Sequence, residues 1–158
     1  MTFRNALLAA TIVLSTTACT LAAADAPRER VVRFSPNELI NTGGWILETA
    51  KVGGSAIAEV STPGIMFEMT FANGEVSASG GCNQLRGAYK ATGKRLDMTL
   101  AIATRMSCTD DKNIADRSFS ERMSRSFKVE LIEPQPYRMR LTSDSGEVMV
   151  FQAKPVPL

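Results

Sequence analysis

Histidine is absent from this 158-residue chain. That removes Ser-His-Asp and Cys-His catalysis, histidine-ligated zinc and imidazole-based pH sensing. Aromatic residues are scarce: seven Phe, two Tyr and one Trp. Neither sign of charge dominates, since 18 basic residues meet 16 acidic ones for a formal net charge of +2. So balanced a chain does not suggest nucleic acid as its main partner. Long apolar runs are also missing. The longest, Ala6 to Leu14, is too short to span a bilayer as a helix, and nothing later is long enough to span one. What remains is 44% hydrophobic and 22% charged, the composition of an ordinary globular protein of one domain.

The N-terminus reads as an export signal over residues 1–24. Arg4 supplies the positive region, Ala6 to Leu14 the apolar one, and small residues follow. Two processing routes fit. Ala22-Ala23-Ala24 is an A-x-A site with cleavage before Asp25. Thr16-Thr17-Ala18-Cys19 looks like a bacterial lipobox, with Thr16 where Leu is usual, and would make Cys19 a lipidated N-terminus. The expected location is therefore the periplasmic side of the outer membrane as a lipoprotein, or the soluble periplasm. Residues 25–38 (from DAPRERVVRFS onward) are charged and contain Pro27, which reads as a tether. The folded domain is expected over 39–155.

Only three cysteines are present: Cys19, Cys82 and Cys108. Both processing routes remove Cys19 from the thiol count. Cys82 and Cys108 are left as one pair in an oxidising compartment, where a disulfide is expected. It would close a loop of about 27 residues and contribute roughly 3–4 kcal/mol by chain entropy. The alternative is a reactive thiol. Neither cysteine lies in a C-x-x-C, and no histidine exists to activate it, although Arg86 and Arg105 are near in sequence. Two thiolates without histidine do not complete a zinc site, so no metal or cofactor is expected.

Most of the remaining chain alternates like a β protein. Strands are predicted at Trp45 to Lys51, Ile65 to Phe71, Glu75 to Ser79, Tyr89 to Thr92 and Arg95 to Leu100. Three more are predicted at Val129 to Ile132, Tyr137 to Leu141 and Val148 to Phe151. Asn73-Gly74 is the strongest hairpin signal. Gly93 and the run Ser143 to Gly146 mark two further turns. One segment changes period: Ala115, Phe119, Met123 and Phe127 recur every fourth residue, with Ile114 widening the stripe. This predicts an amphipathic helix over Asn113 to Phe127, of about four turns. Asp110 and Asp111 suit its N-terminus. The sum is an α+β domain. About eight short strands form a curved, mostly antiparallel sheet or partly open barrel, with one amphipathic helix packed against it.

The most distinctive stretch is Gly80-Gly81-Cys82-Asn83, followed by Gly87 and Tyr89. Paired glycines there suggest close backbone approach, and Asn83 can hold a bend by bonding nearby amides. Together with the Gly44-Trp45-Ile46-Leu47 opening, the run Thr104-Arg105-Met106-Ser107-Cys108 and Asp116 on the following helix, it resembles the META domain family. That family includes heat-shock lipoproteins of the HslJ type. The acidic position is usually Glu, so Asp116 is a mild departure. The resemblance covers about Asn41 to Gln152. It implies a curved antiparallel sheet beside a helix, a bacterial-envelope location and a link to stress or antibiotic tolerance. It implies framework roles, not catalysis, for Gly44, Trp45, Gly81, Asn83, Gly87, Tyr89, Thr104, Met106 and Asp116.

The function expected is therefore non-enzymatic: an envelope domain binding a partner, a peptide or an apolar ligand. The alternative is a structural or secretion accessory docking on another envelope protein. Met66, Met69, Met98, Met106, Met123, Met139 and Met149 could line an adaptable pocket or simply fill the core. Arg117, Arg122, Arg125, Lys128, Arg138 and Arg140 could form a basic docking strip or a solvated face. A monomer is the expected state, and a lipid anchor at Cys19 would add the membrane as a partner. No acid–base pair or activated nucleophile is visible.

Overall fold

The structure is a computed structural model and describes residues 28–134 and 137–156. The predicted signal and Cys19 lie outside these residues. Ten strands and one α-helix follow one another along the described chain. The strands are β1 (Arg30–Val32), β2 (Trp45–Val52), β3 (Ser55–Ala56), β4 (Glu68–Ala72) and β5 (Glu75–Ser79). After these come β6 (Leu85–Thr92), β7 (Arg95–Ala103), β8 (Ser126–Glu133), β9 (Arg138–Ser143) and β10 (Glu147–Ala153). The helix α1 (Asp110–Met123) separates β7 from β8.

Every pairing is antiparallel, and eight strands close into a barrel in the order β8-β7-β6-β5-β4-β2-β10-β9, with β9 pairing back to β8. Closure satisfies edges that an open sheet would leave exposed. The turns that make it are local. Asn73 (φ 50°) and Gly74 (φ 81°) adopt the left-handed conformation of a tight hairpin. Gly146 ends the β9–β10 turn and donates its N–H to the Ser143 carbonyl.

Period-two burial fills the inside. Met69 and Phe71, Val76 and Ala78, Leu96 to Leu100, Phe127 to Leu131, Met139 and Leu141, and Met149 and Phe151 all bury alternate side chains. Two bulges adjust the register. One at Glu48 shifts the buried parity of β2 from Trp45 to Ala50. The other, at Ala101, sits opposite the Arg86–Gly87 step. The Trp45 indole N–H donates to the Leu39 carbonyl at 3.1 Å, so the one polar atom of the largest core side chain is paired.

The helix differs from its predicted span. It begins at Asp110 with Thr109 as its N-cap and ends at Met123. Phe127 lies instead in β8, facing inward. Its four-residue spacing from Met123 continues the helical period only by coincidence. Ile114 does not widen the buried stripe. It is exposed, and the buried positions are Ala115, Asp116, Phe119 and Met123. Phe119 stacks on Phe67 with ring centroids 4.0 Å apart and planes 4° apart.

The described part of the expected tether, residues 28–38, is packed rather than free. β1 pairs with the C-terminal half of β8, Phe34 is buried, and Pro36–Leu39 form a short 3₁₀ turn that buries Leu39. The predicted strand from Ile65 begins its ladder only at Glu68. Ile65 donates its N–H back to the Thr62 carbonyl in a turn.

Candidate functional site

The polar residues singled out by sequence converge where β5, β6 and β7 end against the start of α1. One carboxylate organises them. Asp116 Oδ2 accepts the Cys82 amide at 3.0 Å, the Asn83 amide at 2.7 Å and the Asn83 side-chain amide at 2.9 Å. Asn83 then passes the connection on. Its Oδ1 accepts the Met106 amide at 3.0 Å and the Thr104 hydroxyl at 3.3 Å. Thr104 Oγ1 accepts the Gln84 amide at 3.0 Å. One helix side chain thus fixes the turn after β5, and the turn fixes the segment between β7 and α1. Charge-assisted bonds of this kind are about twice as strong as neutral ones.

Cys82 and Cys108 are joined by a disulfide, with Cα atoms 5.8 Å apart, across the same junction. The other oxygen, Asp116 Oδ1, has no hydrogen-bond partner although it is buried. It lies against Gly81, where an added Cβ would sit 2.1 Å away. That close approach is the reason for glycine at this position. Gly87 marks the second close approach: a Cβ there would meet the Thr99 carbonyl oxygen at 1.5 Å.

The remaining motif residues lie apart from this node. Gly44 is buried at the start of β2, and its carbonyl accepts the Lys154 amide. Trp45 is in the core. Tyr89 packs edge-on against Phe71, with ring centroids 5.0 Å apart. Met106 contributes its backbone to the node while its side chain is 59% exposed. At the helix N-terminus the Thr109 hydroxyl, then the Lys112 and Asp111 amides, hold the Asp111 carboxyl below its ordinary value. Asp110 and Asp111 both sit in the first turn, where the helix dipole favours negative charge.

Three features escaped the sequence reading. Where β7 leaves β8, Ser124 Oγ accepts the Leu100 amide at 2.8 Å and Ser120 Oγ donates to the Leu100 carbonyl at 2.6 Å. The helix thereby closes the seam of the barrel with side chains. Glu147 is 5% exposed and pairs with both Arg122 and Arg125. Its signal was present: a carboxylate on the same parity as Met149 and Phe151. The cations considered for a docking strip or a solvated face are largely paired with carboxylates. Beyond that pair, Lys128 and Arg140 meet Glu130, and Arg138 meets Glu29. Lys128, then burial opposed by Arg140, sets the Glu130 carboxyl, with a net lowering.

Of the seven methionines considered, Met69, Met98, Met123, Met139 and Met149 fill the core, while Met66 and Met106 are exposed. Among the described residues, four clefts stand out on the outside. The largest, about 580 Å³, runs between α1 and the ends of β6 and β7, past Asn83, Asp110, Asp116, Arg117 and Glu121. Among the described residues no group of three His, Cys, Asp or Glu side chains is placed to hold a metal ion. No helix among them is long and apolar enough to cross a membrane.

A closed antiparallel barrel is buttressed by one helix, whose buried acid pins a disulfide-linked Gly-Cys-Asn turn. This defines the class of the protein. The family model described as the META domain matches residues 38–156, and the chain belongs to that family. The structure is similar to an NMR structure of a protein from Burkholderia xenovorans. The two share 24% identity and a TM-score of 0.59, and the match covers 83% of this chain and 98% of that one. At that identity the likeness concerns the fold. No curated protein matches the chain.

Proposed function

We propose that this META domain is a non-enzymatic binding module of the bacterial envelope, which docks a partner protein or peptide on its outer surface in a stress or antibiotic-tolerance setting. One observation carries the reading. Four large apolar side chains, each 49–67% exposed, flank the rigid node: Met66, Ile102, Met106 and Ile114. Each is tied to it. The Met66 carbonyl abuts Gly80, Met106 bonds Asn83, and Ile102 and Ile114 lie two residues from Thr104 and Asp116. A held backbone bearing adaptable apolar side chains suits docking at low entropic cost.

Packing argues against an apolar ligand inside the barrel, because the inward side chains already form one continuous core. The non-enzymatic part rests on what the polar groups do. Asn83, Thr104, Glu147 and one oxygen of Asp116 commit their hydrogen bonds to backbone amides, to one another or to arginines. Export is supported by the signal pattern at Met1 to Ala24 and by the cysteine pair.

Photo-crosslinkers placed at Met106 or Ile114, and at Lys51 as a control, test this in the native envelope. A recurrent protein adduct from the first two positions and not from Lys51 is expected. Equal adducts, or none, would sink the docking reading.

A further inference from the structure

β8 offers one edge to two different strands. β7 occupies it from Ser126 to Lys128, and β1 from Leu131 to Glu133. At the changeover the Lys94 carbonyl accepts the Val129 amide, and the edge opens into a notch of about 300 Å³. Val31, Arg33, Phe34, Lys94, Lys128 and Glu130 line it. Three cations therefore face one carboxylate. Of the four clefts described, this one carries the most positive rim, three cations against one carboxylate, where the cleft beside Tyr137 has Lys154 alone.

Elsewhere several arginines are paired with carboxylates. Glu147 takes Arg122 and Arg125, Glu133 takes Arg30, and Asp144 takes Arg95. In the notch, Arg33 and Lys94 are not so paired among the described residues. Glu130 is already engaged by Lys128 at 2.8 Å and by Arg140 at 3.5 Å. Among the described residues no carboxylate lies within ion-pair distance of Arg33 or Lys94. Val31, 55% exposed, adds an apolar wall. Cations beside an exposed aliphatic side chain complement a phosphate joined to a hydrocarbon chain.

We propose that this notch binds the phosphate of an anionic lipid headgroup, holding the barrel against a membrane surface. The proposal rests on the export reading, since it needs a membrane within reach. It uses a different surface from the partner-docking face, so either can fail alone.

The test uses the chain carrying Cys19→Ser, isolated from the envelope, so that no acyl chain contributes. Its co-sedimentation is measured with phosphatidylglycerol-containing vesicles and with phosphatidylcholine vesicles. Each cation near an anionic surface strengthens binding roughly fivefold. The combined variant Arg33→Ser, Lys94→Ser, Lys128→Ser should therefore lose at least about tenfold in affinity, discounting Lys128 for its Glu130 partner. A control of equal charge, Lys51→Ser, Lys90→Ser, Arg117→Ser, should lose much less. Circular dichroism melts of both variants should match the parent. Equal losses would reduce the effect to net charge and overturn the site, as would equal binding to both vesicles. Full displacement by inorganic phosphate would make it a free-anion site and overturn the lipid assignment.

Discussion

Asp116 and Gly81 are a pair that neither residue announces alone. The carboxylate buries Oδ1 without a hydrogen-bond partner, and only a residue without a Cβ lets that oxygen lie where it does. Gly81→Ala places a methyl group 2.1 Å from that oxygen. The expected cost is about 2–3 kcal/mol, measured as a lowered urea midpoint with unchanged slope. Asp116→Asn removes the charge while keeping an oxygen, and should cost about 1.5–3 kcal/mol in the same measurement. The sequence made both residues candidates, through the paired glycines and the family resemblance. It could not show that they touch, because no local pattern links a turn after one strand to a helix two strands later. Glu147 was legible only in retrospect. A charge on the buried parity of β10 needs two arginines from α1 and the turn after it, and those come from another element.

At the scale of elements, hairpins were the most readable because their causes are local. Asn73-Gly74, Gly93 and Ser143 to Gly146 fell where turn chemistry puts them. The helix was readable in kind but not in extent. Its period of four ran on through Phe127, while the backbone had already left the helix at Ser124. β1 was the least readable. Arg30-Val31-Val32 is short and charged, and its place comes from the edge of β8, far along the chain. The helix–strand seam gives a test at this scale. Ser120→Ala with Ser124→Ala leaves the Leu100 N–H and carbonyl without their side-chain partners. About 1 kcal/mol per lost bond is expected, with faster hydrogen exchange at the Leu100 amide. Unchanged exchange would mean that the seam does not depend on those hydroxyls.

At the scale of the whole molecule, the disulfide staples the turn after β5 to the segment that leads from β7 into α1. Reduction should remove roughly 3 kcal/mol and lower the melting temperature by about 10 °C, leaving a cooperative transition. A melt insensitive to reductant would contradict this. Acid should act gradually. The Asp144 carboxyl is lowered by its hydrogen bond and charge pairing with Arg95, the Glu130 carboxyl chiefly by Lys128, and Asp111 by Thr109. Each group therefore stabilises the fold fully above its ordinary value of 3.8 or 4.5. That contribution is lost as pH falls through the lower folded value. Stability measured by urea should thus be flat with respect to these groups near neutrality and decline below about pH 4. The barrel as a class followed from eight short alternating strands. Its closure did not, because it depends on which edges meet.

That closure has a consequence in time. β2 is the first barrel strand in the chain and β10 the last, and they pair with each other along most of their length. A chain delivered N-terminus first, whether from a ribosome or through a membrane pore, presents Trp45 and one open edge of β2 well before its partner arrives. The barrel is completed only when residues 147–153 emerge, so this edge must be kept from other strands until the end of delivery. Closure of the barrel is therefore expected late, once β10 has been delivered. A chain ending short of β10 would leave most of that edge of β2 without its partner.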